Sequence, residues 1–187
     1  MTKPRSNQSE EPPTAVTACE IQPPVQDSAV TSRARFAFSH PAHCVAFGFG
    51  AGLSPWAPGT AGTLLAWLIF WIAEGVPAAP ALLCVAVFFA LGVWVCDVTG
   101  RHLGIADHGA MVWDEVVAFL LVLVVIPDQL EWQAAAFVLF RFFDIAKPPP
   151  IRWLEARFKG GFGVMVDDLL AAGYTLLVLA AAQRFFL

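Results

Sequence analysis

From residue 60 to the C-terminus the chain is a succession of five apolar runs, at about 60–73, 79–98, 112–126, 130–146 and 166–186. The breaks between them are rich in proline and glycine. Gly75-Val76-Pro77 separates the first two, Pro127-Asp128 closes the third, and Pro148-Pro149-Pro150 stops the fourth. Proline cannot continue a helix and restrains the residue before it, so each break reads as a helix end. With 58% hydrophobic and only 14% charged residues, the chain lies outside the range of a soluble domain. The predicted fold is all-α: a membrane-embedded bundle of about five helices. Most runs fall short of the roughly 20 residues of a perpendicular span, so some helices are tilted, partly interfacial or extended by polar ends. The stretch IRWLEARF after the triple proline is amphipathic and suits a short interfacial helix. No internal repeat is present, and residues 40–187 form one predicted helical membrane domain.

Residues 1–39 differ from the rest, being rich in Pro, Gln, Ser and Glu and lacking the apolar core of a secretory signal. They read as a disordered cytoplasmic tail. If the five helices alternate in direction, ten of the eleven basic residues fall on one side: Lys3, Arg5, Arg33, Arg35, Arg101, Arg141, Lys147, Arg152, Arg157 and Lys159. The turns at 74–78 and 127–129 contain none. The positive-inside rule assigns the basic side to the cytoplasm.

The carboxylates follow the same geometry. Asp97, Asp107, Asp114, Glu115, Asp144, Asp167 and Asp168 all fall at the cytoplasmic ends of the helices. Ionisable groups near a membrane core are costly, and clustered carboxylates repel one another unless a cation or basic partners compensate. A hard cation with oxygen ligands, such as Mg2+, would do so. The plainer reading is that Asp114, Glu115, Asp167 and Asp168 favour helix first turns for dipole and capping reasons. That reading is weaker for Asp144, near a helix C-terminus, although Arg141 and Lys147 stand three residues to either side and could pair with it. Adjacent residues on a helix point about 100° apart, so neither Asp114 and Glu115 nor Asp167 and Asp168 are expected to act as equivalent ligands.

The segment GFGAGLSPWAPGTAGT places Gly and Pro before a helix start, with Thr60 and Thr63 in its first turn. Amides and hydroxyls at such an end suit a phosphate, whereas close helix packing through small residues explains the glycines equally well. KGGFGVMVDD, with Lys159, has a similar design. His108 could transfer protons, or could be an ordinary surface histidine, and His40 and His43 fit an interfacial position. Several chemistries are excluded by what is missing. There is no Walker lysine, no G-x-S-x-G elbow, no C-x-x-C pair among Cys19, Cys44, Cys84 and Cys96, and no basic stripe for nucleic acid. Polar residues gathered at one end fit headgroup chemistry better than a transport path through mid-membrane.

Four segments, GFGAGLSPWAPGTAGT at 48–63, DHGAMVWDE at 107–115, FRFFDIAKPPPIRW at 140–153 and KGGFGVMVDD at 159–168, closely resemble the phosphatidylglycerophosphatase A family, in order from about residue 43 to the C-terminus. Pro149 departs from the family pattern, which has an aromatic there, and this bears on local headgroup contacts. The resemblance implies a bacterial inner-membrane enzyme, with its active face cytoplasmic, that hydrolyses phosphatidylglycerophosphate to phosphatidylglycerol and phosphate with Mg2+. On that reading Asp114, Glu115, Asp144, Asp167 and Asp168 supply metal ligands, and Asp168, Asp144, Glu115 and His108 form the catalytic set. Thr60, Thr63, Arg141, Lys147 and Lys159 bind the substrate. The nucleophile, water or an aspartate, stays open, as does homo-oligomerisation. The competing readings are a broader lipid phosphatase or headgroup phosphotransferase, and a non-enzymatic membrane transporter or assembly factor.

Overall fold

The computed structural model describes residues 25–149 and 151–186, and among them every regular element is helical. In chain order these are α1 (Val25–Ala37), α2 (Pro41–Ala46), a 3-10 helix (Gly48–Leu53), α3 (Pro58–Ile72), α4 (Ala78–Leu103), α5 (Trp113–Val125), α6 (Leu130–Ala146), α7 (Ile151–Arg157) and α8 (Gly160–Phe186). The five apolar runs correspond to α3, α4, α5, α6 and α8, and the amphipathic link after the triple proline is the short helix α7. Helix α1 falls within the stretch that composition assigns to a disordered tail; residues 1–24 of that stretch lie outside the described residues.

Among the described residues, two helices are long and apolar enough to cross a bilayer, Ala78–Leu103 and Gly160–Arg184, and Pro58–Ile72 is a shorter apolar helix. At 1.5 Å per residue, α4 is about 39 Å long. Large apolar side chains stand exposed on their outer faces: Leu64, Leu68 and Ile72 on α3, Leu83, Val87 and Trp94 on α4, Val138, Phe142 and Ile145 on α6, and Leu177 and Val178 on α8. So much outward apolar surface has no place in water and fits a lipid surround. Helix α5 is apolar all round because it is the central element, touching α3, α4, α6 and α8. Val116, Phe119, Val122 and Leu123 are fully buried there.

Helix α8 starts earlier than the sequence pattern predicts. Its first turns run through Gly160, Gly161 and Gly163, residues that weaken an isolated helix. Packing overrides that preference. A Cβ at Gly161 would collide with the carbonyl of Val93 and the amide of Asp97, so α4 and α8 approach backbone to backbone at a point only glycine permits. The consequence for the site is that Asp167 and Asp168 lie two turns inside α8, so first-turn dipole placement does not account for them.

Candidate active site

Three helix segments bring the chemistry together: the start of α5, the end of α6 and the third turn of α8. Val112 N donates to Ala46 O at 2.9 Å, which ties the start of α5 to α2 and sets the height of Glu115. Arg141, one turn before the end of α6, places Nη1 3.1 Å from Glu115 Oε1 and 2.7 Å from Asp144 Oδ2. One guanidinium therefore joins carboxylates from two helices. Asp168 of α8 completes the group: Glu115, Asp144 and Asp168 each present an oxygen within 4.8 Å of the others.

Three carboxylates and one guanidinium, largely screened from solvent, form an arrangement short of positive charge. Two further observations point the same way. Glu115 Oε2 and Asp168 Oδ2 are buried with no hydrogen-bond partner among the described residues, whereas Arg141 Nε, equally unpartnered there, is a donor that lacks an acceptor. Unsatisfied buried oxygens that converge from separate helices are costly unless something binds them. An oxygen-only donor set of this kind fits a hard cation.

The neighbouring carboxylates play different parts. Asp114 is buried, and its Oδ1 accepts the amide of Glu115 at 3.0 Å. Asp167 is buried and faces Lys147, whose Nζ lies 3.4 Å from Oδ2. Within each adjacent pair, only one residue belongs to the three-carboxylate group, as the 100° helical offset requires. Lys147 caps α6 in a left-handed conformation at φ 41°, with its amide bonded to Phe143 O. That conformation is uncommon outside glycine, and it turns the chain into the prolines while the side chain reaches α8.

The first turn of α3 lies against this group. A Cβ at Gly59 would overlap Glu115 Oε1 and come within 2.7 Å of both terminal nitrogens of Arg141, and one at Gly62 would stand 3.0 Å from Glu115 Oε2. Pro58 opens the helix and Ala57 makes no side-chain cap hydrogen bond to it. The glycines thus serve close packing and also bring a helix N-terminus beside the guanidinium; the sequence presents these as alternatives. The i,i+3 spacing of Gly59 and Gly62 is the signal that could have identified the contact. Thr60 is half-buried in the same turn, whereas the Thr63 hydroxyl is fully buried and donates to Gly59 O at 2.9 Å, which commits it to the helix. Lys159 is exposed in the link between α7 and α8. His108 is half-buried, its Nδ1 accepting from Ala110 N at 3.1 Å.

A second polar cluster sits on α1, α2 and α4. His43 Nε2 lies 2.8 Å from His102 Nδ1, and the His43 ring stacks on Phe36 at 4.2 Å. Burial pushes the His43 pKa below the ordinary histidine value, and the nearby His102 and His40 rings act in the same direction against the Phe36 carbonyl.

Comparison with known proteins identifies the family of the chain. The family model described as Phosphatidylglycerophosphatase A matches residues 44–183. Among curated relatives, a Haemophilus influenzae protein named Phosphatidylglycerophosphatase A is 43% identical over 79% of this chain and 92% of its own length. An Escherichia coli protein of the same name is 38% identical over 83% of this chain and 88% of its own. A Bacteroides thetaiotaomicron protein provisionally named a phosphatidylinositol-3-phosphatase is 43% identical over 73% of this chain and 89% of its own. No solved structure matches the chain. A model match across most of the chain, with a carboxylate group built from three of the segments that carry the resemblance, places this chain in the phosphatidylglycerophosphatase A family.

Proposed function

We propose that this protein hydrolyses the terminal phosphate monoester of phosphatidylglycerophosphate, giving phosphatidylglycerol and inorganic phosphate during phospholipid synthesis. The observation that carries the reading is the convergence of Glu115, Asp144 and Asp168 around Arg141. The names of the Haemophilus and Escherichia relatives support the substrate.

In this reading Glu115, Asp144 and Asp168 hold Mg2+, with Asp114 and Asp167 alongside as further carboxylates. When bound, Mg2+ neutralises charge on the phosphate oxygens. The protein's own groups do the rest. Arg141 Nε, buried without a partner, offers a donor to a phosphate oxygen, and Lys147 adds a second positive charge across the site. The α3 start at Gly59 and Thr60 orients the phosphate through backbone amides. Thr63 supports that turn, and Lys159 draws the anionic headgroup to the surface. Water adds its oxygen to phosphorus and the glycerol oxygen leaves with a proton; His108, with Nδ1 occupied, has Nε2 for that transfer. The attacking oxygen is that of water, or first that of an aspartate carboxylate, which displaces the glycerol oxygen to form an acyl phosphate that water then cleaves to inorganic phosphate.

The same reading embeds about five helices, α3 to α6 and α8, in the bacterial inner membrane, with the carboxylate group at the cytoplasmic face and the phosphorylated headgroup entering from that leaflet. The charge distribution supports this: the turns at the other end, 74–78 and 127–129, contain no Lys or Arg. Residues 1–39 form a cytoplasmic tail in this scheme. A second reading, a phosphatase that accepts other lipid phosphates, is favoured by the name of the Bacteroides relative.

The test is phosphate release by purified full-length protein from phosphatidylglycerophosphate and from phosphatidylinositol 3-phosphate, with and without Mg2+. Metal-dependent release from the first lipid, reduced about 10²-fold or more in Asp168→Asn and Glu115→Gln, is expected. Release that is undiminished in both variants would remove the proposed site, and faster release from the second lipid would replace the proposed substrate.

A further inference from the structure

At the end of the bundle away from the carboxylates, a cavity of about 730 Å³ opens between the end of α3, the start of α4, the end of α5 and the start of α6. Along α5, Leu123 in its wall is eight residues from Glu115, or about 12 Å. The wall is mainly apolar, with Phe70, Phe88, Leu120 and Leu123 among its residues, and its volume is in the range of small-molecule and lipid-chain sites. The cavity is not enclosed, so in a bilayer it would be filled from the surrounding lipid.

The mouth has a specific chemistry. Glu74 and Asp128 both line it, both are exposed, and among the described residues no Lys or Arg lines it. Two helix ends of each polarity meet here, so their dipoles largely offset one another and the side chains set the sign of the field. Asp128 is also held in place. Gln133, buried at 3% exposure, donates from Nε2 to Asp128 Oδ1 at 2.8 Å. Its Oε1 accepts from the indole N–H of Trp67 at 2.6 Å and of Trp71 at 3.3 Å. A buried amide anchored by two tryptophans thus orients a carboxylate at the entrance of an apolar cavity.

We infer that this cavity binds one phospholipid bearing a primary ammonium headgroup, an acyl chain lying in the apolar interior and the ammonium at Asp128 and Glu74. Charge complementarity selects the lipid. An anionic glycerol headgroup would meet two carboxylates and no cation, whereas an ammonium supplies positive charge and three N–H donors. A quaternary choline headgroup carries the charge without the donors. The site is separate from the phosphatase reading and stands or falls without it.

The experiment is native mass spectrometry of the full chain released from neutral detergent, with an equimolar mixture of phosphatidylethanolamine, phosphatidylcholine and phosphatidylglycerol of matched acyl chains. The ethanolamine lipid is expected to be retained about threefold or more over the other two, the scale set by an exposed ion pair. Asp128→Asn combined with Glu74→Gln should remove that preference, and Ala81→Trp, which places an indole in the cavity, should lower retention of all three lipids. Equal retention by the parent chain, a preference surviving in the double variant, undiminished retention in Ala81→Trp, or a second copy of the chain bound in place of lipid would each overturn the inference. Thermal unfolding midpoints of the variants, compared with that of the parent chain, report whether they are folded.

Discussion

Arg141 and Glu115, twenty-six residues apart, meet with Nη1 3.1 Å from Oε1, so a single guanidinium on α6 positions a carboxylate on α5. The same nitrogen contacts Asp144. Removing it therefore changes the charge balance of the whole group, beyond the loss of one ion pair. Arg141→Met is expected to lower phosphate release by about 10²-fold. It should also shift the Mg2+ dependence of thermal stability to lower metal concentration, because the three carboxylates lose their internal counter-charge and bind a cation more tightly. A thermal-unfolding titration with Mg2+ on parent and variant checks this; an unchanged midpoint contradicts it.

Gly59 has no room for a Cβ against Glu115 and Arg141, whereas Gly173 in the middle of α8 has nothing within 4 Å of the corresponding position. Gly59→Ala should displace the guanidinium and reduce activity about tenfold or more. Gly173→Ala should leave activity unchanged and stabilise α8 by about 1 kcal/mol, the helix preference of Ala over Gly. Steady-state kinetics and unfolding of the two variants side by side separate site geometry from helix propensity.

The contact between Gly161 and the Val93 carbonyl sets the distance between α4 and α8. Gly161→Ala is expected to destabilise the protein by about 1–3 kcal/mol, as overpacking does. Activity should fall with it, since Asp168 is carried on the same helix. An unfolding midpoint equal to that of the parent would show that α4 and α8 tolerate wider separation.

His43 predicts a pH dependence away from the carboxylates. Its folded pKa lies below the unfolded value near 6.5, chiefly through burial. The unfolded chain then binds the proton more readily, so the stability contributed by neutral His43 is fully present above that value and is lost as pH falls through the folded pKa. The groups facing it are His102 and His40. Thermal midpoints between pH 8 and pH 5 should drop more steeply for the parent than for His43→Gln. Hydrogen exchange should show α1 and α2 loosening first on acidification, because Phe36 stacks on this ring.

By itself the sequence determined the helices and the gathering of charge. Proline breaks and apolar runs are local signals, and they locate α3 to α6 and α8 to within a few residues, apart from the longer ends of α4 and α8. Glycine preference placed the start of α8 too late, because the backbone contact of Gly161 with Val93 comes from another helix. The resemblance in four segments was also legible as sequence, and the family match bears it out. Tertiary structure decided which residue of each acidic pair joins the group: Glu115 and Asp168 converge with Asp144, while Asp114 accepts its neighbour's amide and Asp167 faces Lys147. It likewise committed the Thr63 hydroxyl to Gly59 and joined Gln133 to Asp128 and two tryptophans. A carboxylate's partners are set by how helices rotate and approach in space, and side chains twenty to sixty residues away control that rotation.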